Sequence, residues 1–416
     1  MNETRYYKYY FFLLVILCTW FSTIVAPPMP IRLVYLVALI MPAYLYAPNL
    51  LVPVLACFTS VAAYGFSCSY MPTELHYYLI IMFPLLGFGL QKNLKTQRPS
   101  VLFTCFCLYV LCIDLLKGGK LENIDYSILV VLISFFFVSK DGHEESSYIL
   151  SFIMVSLIIC LYFFTYGQSG AVEVSEDGRT AWKDSNYLGN VCGMGIVLAY
   201  NVLVNNLYTN KKFKYLCLLT VIVGVMMIVL NASRGAFLSM TVAITIITLF
   251  ARIKTISKFG IVIAVSLSVV AMYSLGLFEV LEERVMSDDG TGNARTIIWA
   301  AKLDAYSHLS LLEKVFGSGY RKGFELAIPG GFGFHCDYIA WLVDYGIVGL
   351  FFISLLIYPL KLVWNRQSQR PIVLSLILFL VTCCSTLEPL TAGRLAYWYF
   401  YMLIVLFARW SSQQAN

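Results

Sequence analysis

The sequence predicts an all-α, polytopic integral membrane protein with about 14 (12–14) transmembrane helices, and three observations support this. Hydrophobic residues make up 60% of the chain and charged residues 12%, whereas soluble domains carry roughly 25% charged residues. The apolar residues fall into stretches of the length that a helix needs to cross a bilayer, about 20 residues. Lysine and arginine fall in alternate loops. This composition excludes a secreted disulfide-rich domain, a disordered chain and a nucleic-acid-binding domain.

Short polar or Pro/Gly-marked breaks separate the apolar stretches. They lie near residues 9–26, 31–47, 50–67, 75–91, 99–116, 124–139, 147–166, 185–206, 214–231, 235–251, 259–278, 337–360, 371–387 and 394–410. The first stretch runs through Ala26 into Pro27 and another apolar run, so we interpret it as a span rather than a cleaved signal peptide, although an uncleaved signal anchor has the same pattern. We expect residues 1–416 to form a single membrane domain.

The basic residues predict the orientation of the chain. Every loop obeys the positive-inside rule if both termini are cytoplasmic. The inner loops then hold sixteen basic and four acidic residues, and the other thirteen basic and nineteen acidic residues lie outside or within spans. The net charge of +6 is therefore a consequence of topology and does not by itself indicate an anionic partner.

Two predicted outer loops, 167–184 and 279–336, are much longer than a turn between helices requires. Loops of such length are usually functional or disordered. In the second loop, six apolar side chains recur at roughly helical spacing, which predicts one or two amphipathic helices over the outer face of the membrane. These side chains are Ile297, Ala301, Leu303, Tyr306, Leu311 and Val315.

Four arginines border apolar stretches on the predicted outer face: Arg179, Arg234, Arg295 and Arg394. A guanidinium beside hydrocarbon needs an anion, a carbonyl or water. Snorkelling or a structural ion pair explains a single arginine equally well. Several arginines against the positive-inside rule favour a phosphate or diphosphate ligand, which their forked donors bind in bidentate fashion.

The segment 333–349 (GFHCDYIAWLVDYGIVG) combines a histidine with two carboxylates. His335 falls at a predicted helix start, where the helix dipole keeps the imidazole neutral, as a general base requires; a capping or loop histidine is the alternative. Asp337, Trp341 and Asp344 share one helical stripe, which we expect to face the bundle interior. Asp344 would then line a wet cavity or pair with an arginine.

Two further patches have both structural and functional interpretations. In DSNYLGN (184–190), Asp184 or Ser185 could cap a helix, while Asn186 and Tyr187 could contact a sugar. In FGSGYRKG, Gly317, Gly319 and Gly323 fit backbone turns better than a phosphate nest. The chain has no P-loop, HExxH or nucleophile-elbow motif, and its four histidines are scattered, so we expect no metal site and no cofactor.

These motifs, in this order, resemble the O-antigen polymerase and ligase superfamily, which comprises Wzy-type polymerases and WaaL-type ligases. The resemblance covers roughly residues 175–350 and rests on five features: DxNYxG at 184–189, Arg234 in SRGAFLS, Arg295 before an amphipathic segment, FGSGY, and H-x-D-Y-x-x-x-L-x-x-Y-G-I-x-G from His335. Cys336 stands where the family often has Asn. The resemblance implies a metal-independent glycosyltransferase of the GT-C class in the bacterial inner membrane, acting at the periplasmic face.

On this basis we assign candidate roles to the polar residues. Arg234 and Arg295 would hold the donor diphosphate, His335 would be the general base, and Asp337 would support it. The candidate substrate-binding residues are Arg179, Asn186, Tyr187, Tyr338, Asp344 and Arg394. The implied partners are an undecaprenyl-diphosphate-linked oligosaccharide and the lipid bilayer, with a chain-length regulator as a further candidate.

Three functions remain open at this point. The form of the histidine motif favours a polymerase that transfers a growing glycan from undecaprenyl diphosphate to the terminal sugar of another lipid-linked repeat unit. The alternative within the superfamily is a ligase that transfers the glycan to lipid A-core or another acceptor. A flippase or other transporter of lipid-linked oligosaccharide is a further alternative, which the lack of an internal repeat disfavours.

Overall fold

The computed structural model describes most of the chain between residues 28 and 413. The described residues are 28–46, 51–53, 55–56, 76–90, 97–138, 140, 145–166, 173–174, 180–181, 185–231, 233–251, 253, 258, 260, 270, 273–274, 295–321, 335–352 and 354–413. The first predicted span lies outside these residues, as do most of the third and most of the eleventh.

The described chain is helical apart from one short β ladder. The helices are α1 (Met29–Tyr46), α2 (His76–Leu90), α3 (Val101–Gly118), α4 (Asn123–Ser134), α5 (Glu145–Tyr166), α6 (Ser185–Val204), α7 (Lys211–Leu230), α8 (Arg234–Phe250), α9 (Arg295–Ser307), α10 (Leu311–Phe316), α11 (Asp337–Phe351), α12 (Ser354–Leu362), α13 (Arg370–Thr386) and α14 (Leu395–Gln413). Inside the loop 167–184, β1 (Glu173–Val174) pairs antiparallel with β2 (Thr180–Ala181).

Local capping explains where several helices begin and end. The Ser100 side chain accepts a hydrogen bond from the Phe103 amide at the start of α3, and Gly119 ends this helix with φ +69°. Glu122 and Asp125 form a capping box at the start of α4. Such caps satisfy backbone groups that have no partner within the helix.

The chain divides into two compact units. Unit 1 comprises Met1–Ser151, Ala294–Pro359 and Cys384–Asn416, and unit 2 comprises Phe152–Asn293 and Leu360–Cys383. The single membrane domain expected over residues 1–416 stays a prediction.

Aromatic side chains form the core of unit 1. The rings of Phe106 and Trp341 stack with centroids 5.0 Å apart, and Trp398 and Phe352 lie against the same Phe106 ring at 5.7 and 5.3 Å. Aromatic pairs at these distances stabilise a core beyond the area that they bury. This core therefore joins α3, α11 and α14 beneath the polar groups described below.

In unit 2, α6 packs against both α7 and α8. Glycines on α6 allow a close approach: a Cβ built on Gly189 would lie 2.7 Å from Ser233 Oγ. Small residues at helix interfaces permit such contact between backbones. The start of α6 is thereby held against the start of α8.

The predicted spans agree well with the described helices. Four helices are long and apolar enough to cross a membrane within the described part of the chain, Val101–Gly118, Asn186–Val204, Lys211–Leu230 and Asp337–Leu362, and five shorter apolar helices accompany them. The described chain is thus helical apart from the β ladder, and its apolar helices are consistent with a membrane protein. The number of 12–14 spans and the GT-C-like architecture stay predictions.

The second long loop contains helices where the sequence predicts them, α9 and α10. Three side chains of the predicted apolar stripe, Ile297, Leu303 and Leu311, are 60%, 43% and 77% exposed. The stripe that is buried contains Ile298 and Lys302. Apolar side chains on a helix beside a bilayer can face lipid, so hydrophobic spacing alone did not identify the face that packs on protein.

The predicted span 337–360 is not one continuous helix. Gly346 breaks α11 with φ +67° and ψ −167°. The break admits a neighbouring segment, since a Cβ on Gly346 would lie 2.4 Å from the carbonyl oxygen of Val315. Asp344 therefore lies two residues before a helix break rather than within a regular helix.

Candidate functional site

His335 lies two residues before α11 in a conformation that is rare for a side chain of its size. Its φ is +49°, in the left-handed region where non-glycine residues are uncommon and often functional. The ring is half-buried, and among the described residues its buried Nδ1 has no hydrogen-bond partner. Burial lowers the pKa of His335, and the nearby charge of Arg295 lowers it further. Burial and the charge of Arg295 thus both favour the neutral imidazole, and the role of His335 as a general base stays a prediction.

Arg295 is the first residue of α9, and the buried face of this helix determines where the guanidinium lies. Ile298, Lys302 and Tyr306 follow Arg295 on the same stripe, at three, seven and eleven residues. Tyr306 packs against a buried pair on α11, Ala340 and Val343. The structure thus brings Arg295 and His335, which lie 40 positions apart in the sequence, within electrostatic range of each other.

The sequence analysis missed two charged residues beside this stripe, Lys302 and Glu388. Lys302 has no exposed surface and Glu388 is 9% exposed. Burial lowers the pKa of Lys302, while the carboxylates of Asp344 and Glu388 act in the opposite direction. The signal that could have identified Lys302 is its spacing of seven residues from Arg295, which puts both on one helical face.

Asp337 is buried, but its hydrogen bonds run to a turn and not to His335. Its Oδ1 accepts from the backbone N–H and the hydroxyl of Thr391 at 2.8 and 2.6 Å, and its Oδ2 accepts from the Leu390 N–H at 3.1 Å. This turn leads to Arg394, which is half-buried just before α14. Asp337 therefore stabilises the turn that carries Arg394, a different role from the support of His335 that the sequence suggested.

The glycines of FGSGY form packing turns. The Ser318 N–H donates to the carbonyl of Val343 at 3.3 Å, and the Gly319 N–H donates to that of Asp344 at 2.9 Å. The Tyr320 N–H donates to Asp114 Oδ1 at 2.8 Å. Three successive amides are thus already bonded within unit 1, which argues against a phosphate nest and agrees with the structural interpretation of these glycines.

The carboxylates of Asp344 and Asp114 are both 1% exposed beneath this turn. Tyr345 donates to Asp114 Oδ2 at 3.0 Å, and the backbone of Arg321 donates to Asp344. The second oxygen of Asp344 has no hydrogen-bond partner in the described part of unit 1. The predicted stripe of Asp337, Trp341 and Asp344 is buried as expected. Tyr338, half-buried on α11, stays a predicted substrate contact.

Unit 2 holds the remaining sequence candidates. Arg234 begins α8 and is half-buried, and Ser233 just before it donates to Asn186 Oδ1 at 3.2 Å. Tyr187 is 8% exposed. Helix N-termini such as that of α8 can bind anions, because their first backbone N–H groups have no partner within the helix and point outward. Arg179 lies outside the described residues.

Within unit 1, residues predicted for the same side of the membrane lie together. Lys117 at the end of α3 lies 3.7 Å from Glu313 of the long outer loop. At the opposite end of α3, the Arg409 guanidinium donates to the carbonyl of Arg98, and both residues were assigned to the inner side. The grouping supports the predicted alternation of loops. The periplasmic position of the outer side and the cytoplasmic termini stay predictions.

The described residues contain no group of three His, Cys, Asp or Glu side chains that could hold a metal ion. A metal-independent reaction stays a proposal that follows from the family resemblance.

Comparison with known protein families gives one match. Residues 219–354 match the O-antigen ligase family model. No curated protein matches the chain. The matched segment covers about a third of the 416 residues and contains Arg234, Arg295 and His335. The resemblance to the O-antigen polymerase and ligase superfamily is thereby confirmed over residues 219–354, and it broadly supports a glycosyl-transferring class of enzyme.

Proposed function

We propose that this protein is a polysaccharide polymerase that transfers a growing glycan from undecaprenyl diphosphate to the terminal sugar of another lipid-linked repeat unit. The observation that carries the proposal is a half-buried His335 beside Arg295, with its pKa lowered by burial and by that arginine. A neutral imidazole can accept a proton, and an adjacent guanidinium can bind an anion. General base and diphosphate ligand are the two groups that this reaction needs.

In the proposed reaction, His335 takes the proton of the acceptor hydroxyl while the hydroxyl oxygen attacks the anomeric carbon of the donor. The bond from this carbon to the diphosphate breaks, and undecaprenyl diphosphate leaves with the electron pair. Arg295 stabilises the charge that develops on the diphosphate, as preorganised donors do in other transferases. Arg234, at the start of α8 and within the matched segment, stays a predicted diphosphate ligand.

A ligase that transfers the finished glycan to lipid A-core is the second candidate. The observation that favours it is the description of the matching family model, O-antigen ligase. Both functions use the same donor and the same chemistry, and differ only in the acceptor. The form of the motif after His335, D-Y-x-x-x-L-x-x-Y-G-I, favours the polymerase.

The lipopolysaccharide pattern of a deletion strain distinguishes the two functions. A single repeat unit on the core identifies a lost polymerase. Bare core with accumulated lipid-linked polymer identifies a lost ligase, and an unchanged ladder contradicts both. Complementation with His335→Ala should fail, whereas His308→Ala, which changes an exposed histidine after α9, should restore the ladder.

A further inference from the structure

The most unusual charged residue of unit 1 is Lys302, in the middle of α9. Lysine is rarely buried completely without a counter-charge, yet Lys302 has no exposed surface. Two buried carboxylates face it electrostatically, Asp344 on α11 and Glu388 in the turn before α14. The one lysine thus interacts electrostatically with carboxylates on two separate elements, of which α11 packs against α9.

The spacing of the charges connects Lys302 with the proposed catalytic pair. Arg295 precedes Lys302 by seven residues, about 10 Å along the helix, and His335 precedes Asp344 by nine residues. The charge of Lys302 interacts with Asp344, and that of Arg295 interacts with His335. The two segments therefore run in the same direction, and the register at Lys302 determines the register at Arg295.

Apolar packing and buried charge both act on this register. Tyr306 packs on Ala340 and Val343, and its hydroxyl donates to the Lys314 carbonyl at 2.9 Å. Ile297 and Leu303 are exposed, so neither side chain adds to the apolar packing of α9. In a buried, low-dielectric environment the attraction between opposite charges is strong. The charge of Lys302 therefore acts on the register at a point between Tyr306 and Arg295.

We propose that Lys302 is a positioning residue, whose buried charge between Asp344 and Glu388 holds α9 in the register that places Arg295 beside His335. The catalytic consequence rests on the proposed glycan transfer. Lys302 itself does not touch the donor or the reacting atoms. It acts through Arg295, and loss of its charge removes a cation that acts on two buried carboxylates.

The test is amide hydrogen exchange of residues 295–307 in the full-length protein in lipid nanodiscs, measured for Lys302→Met. Methionine keeps most of the side-chain volume and removes the charge. Because breaking a buried charge interaction strongly destabilises the elements that it joins, we expect exchange across α9 to become at least about tenfold faster. Lys302→Arg should keep it within about threefold of the wild-type rate. Asp304→Asn, at an exposed position on the same helix, is the control and should leave the rate unchanged.

The second measurement is transfer of lipid-linked repeat units per folded enzyme, where Lys302→Met should lose at least about tenfold and Asp304→Asn nothing. Unchanged exchange in Lys302→Met overturns the inference, and so does faster exchange with unchanged transfer. If Lys302→Met does not fold, Glu388→Gln takes its place, because it keeps the lysine and the side-chain volume at position 388. Unchanged exchange, or faster exchange with unchanged transfer, then overturns the inference in the same way. Hydrogen exchange is measured without substrate, so it tests the position of α9 independently of the proposed function. If the proposed function is wrong, the wild-type protein transfers glycan to neither acceptor, whatever the exchange result.

Discussion

The role of Asp337 can be decided by one substitution, because sequence and structure assign it different partners. Its carboxylate accepts three hydrogen bonds of 2.6–3.1 Å from Leu390 and Thr391. Asp337→Ala removes all three, and it leaves two buried amides without acceptors. At about 1–3 kcal/mol for each of the two buried amides left unsatisfied and about 1 kcal/mol for the lost hydroxyl hydrogen bond, we expect the turn to lose about 3–7 kcal/mol.

Amide exchange of residues 387–394 measures this loss directly. Since 1.4 kcal/mol corresponds to a factor of ten, local opening of the turn should become at least about 100-fold more frequent. Asp337→Asn should show a smaller increase, because one amide oxygen still accepts from Thr391. Transfer activity should fall through the displaced Arg394, with His335 still neutral. The reasoning is refuted if the turn stays fully protected in Asp337→Ala while turnover collapses, since the carboxylate would then act on His335 itself.

Three further predictions follow from the site. His335→Ala should reduce glycan transfer about 10²–10⁴-fold while donor binding is retained. Arg295→Lys and Arg234→Lys should weaken donor binding measurably, because lysine lacks the forked geometry of the guanidinium. If both lysine variants bind the donor like the wild type, generic charge attraction explains donor binding. The folded-state pKa of His335 lies below its ordinary value of 6.5, so the neutral imidazole favours the folded state above pH 6.5, and this stabilisation is lost as the pH falls through the lowered pKa. The acid limb of the pH profile of kcat/KM should therefore lie below pH 6.5, and Arg295→Gln should move this limb to higher pH. A limb that does not move in Arg295→Gln excludes electrostatic coupling between the two residues. Gly346→Ala should destabilise unit 1 by about 2 kcal/mol or more, because a Cβ would lie 2.4 Å from the Val315 carbonyl oxygen at a backbone φ of +67°. Gly118 lies in open space, so the control Gly118→Ala should unfold at the wild-type temperature or slightly above. Equal melting temperatures for the two variants would contradict the close contact at Gly346.

The membrane class and the positions of the helices could be predicted from the sequence, because both depend on local properties. A bilayer requires about 20 apolar residues per crossing, and polar or Pro/Gly-marked breaks between such stretches are visible in one dimension. The bounds of α3, α6 and α8 consequently lie within a few residues of the predicted ones. His335, Arg295 and Arg234 were also identified from the sequence, since each stands in a short motif beside a helix start.

Only the tertiary structure decided which charged groups meet. Lys302 and Glu388 are 86 residues apart, and no local pattern indicates that both are buried around Asp344. Hydrophobic spacing did not indicate that Ile298 and Lys302 are the buried residues of α9, because apolar side chains are stable against lipid as well as against protein. The break at Gly346 likewise depends on a segment that docks from residues 315–319. Pairing of buried charges and close backbone contacts are long-range properties of the folded chain. The sequence alone therefore determined the apolar helices and the motif residues, and only the structure determined the partners of Asp337, Asp344 and Lys302.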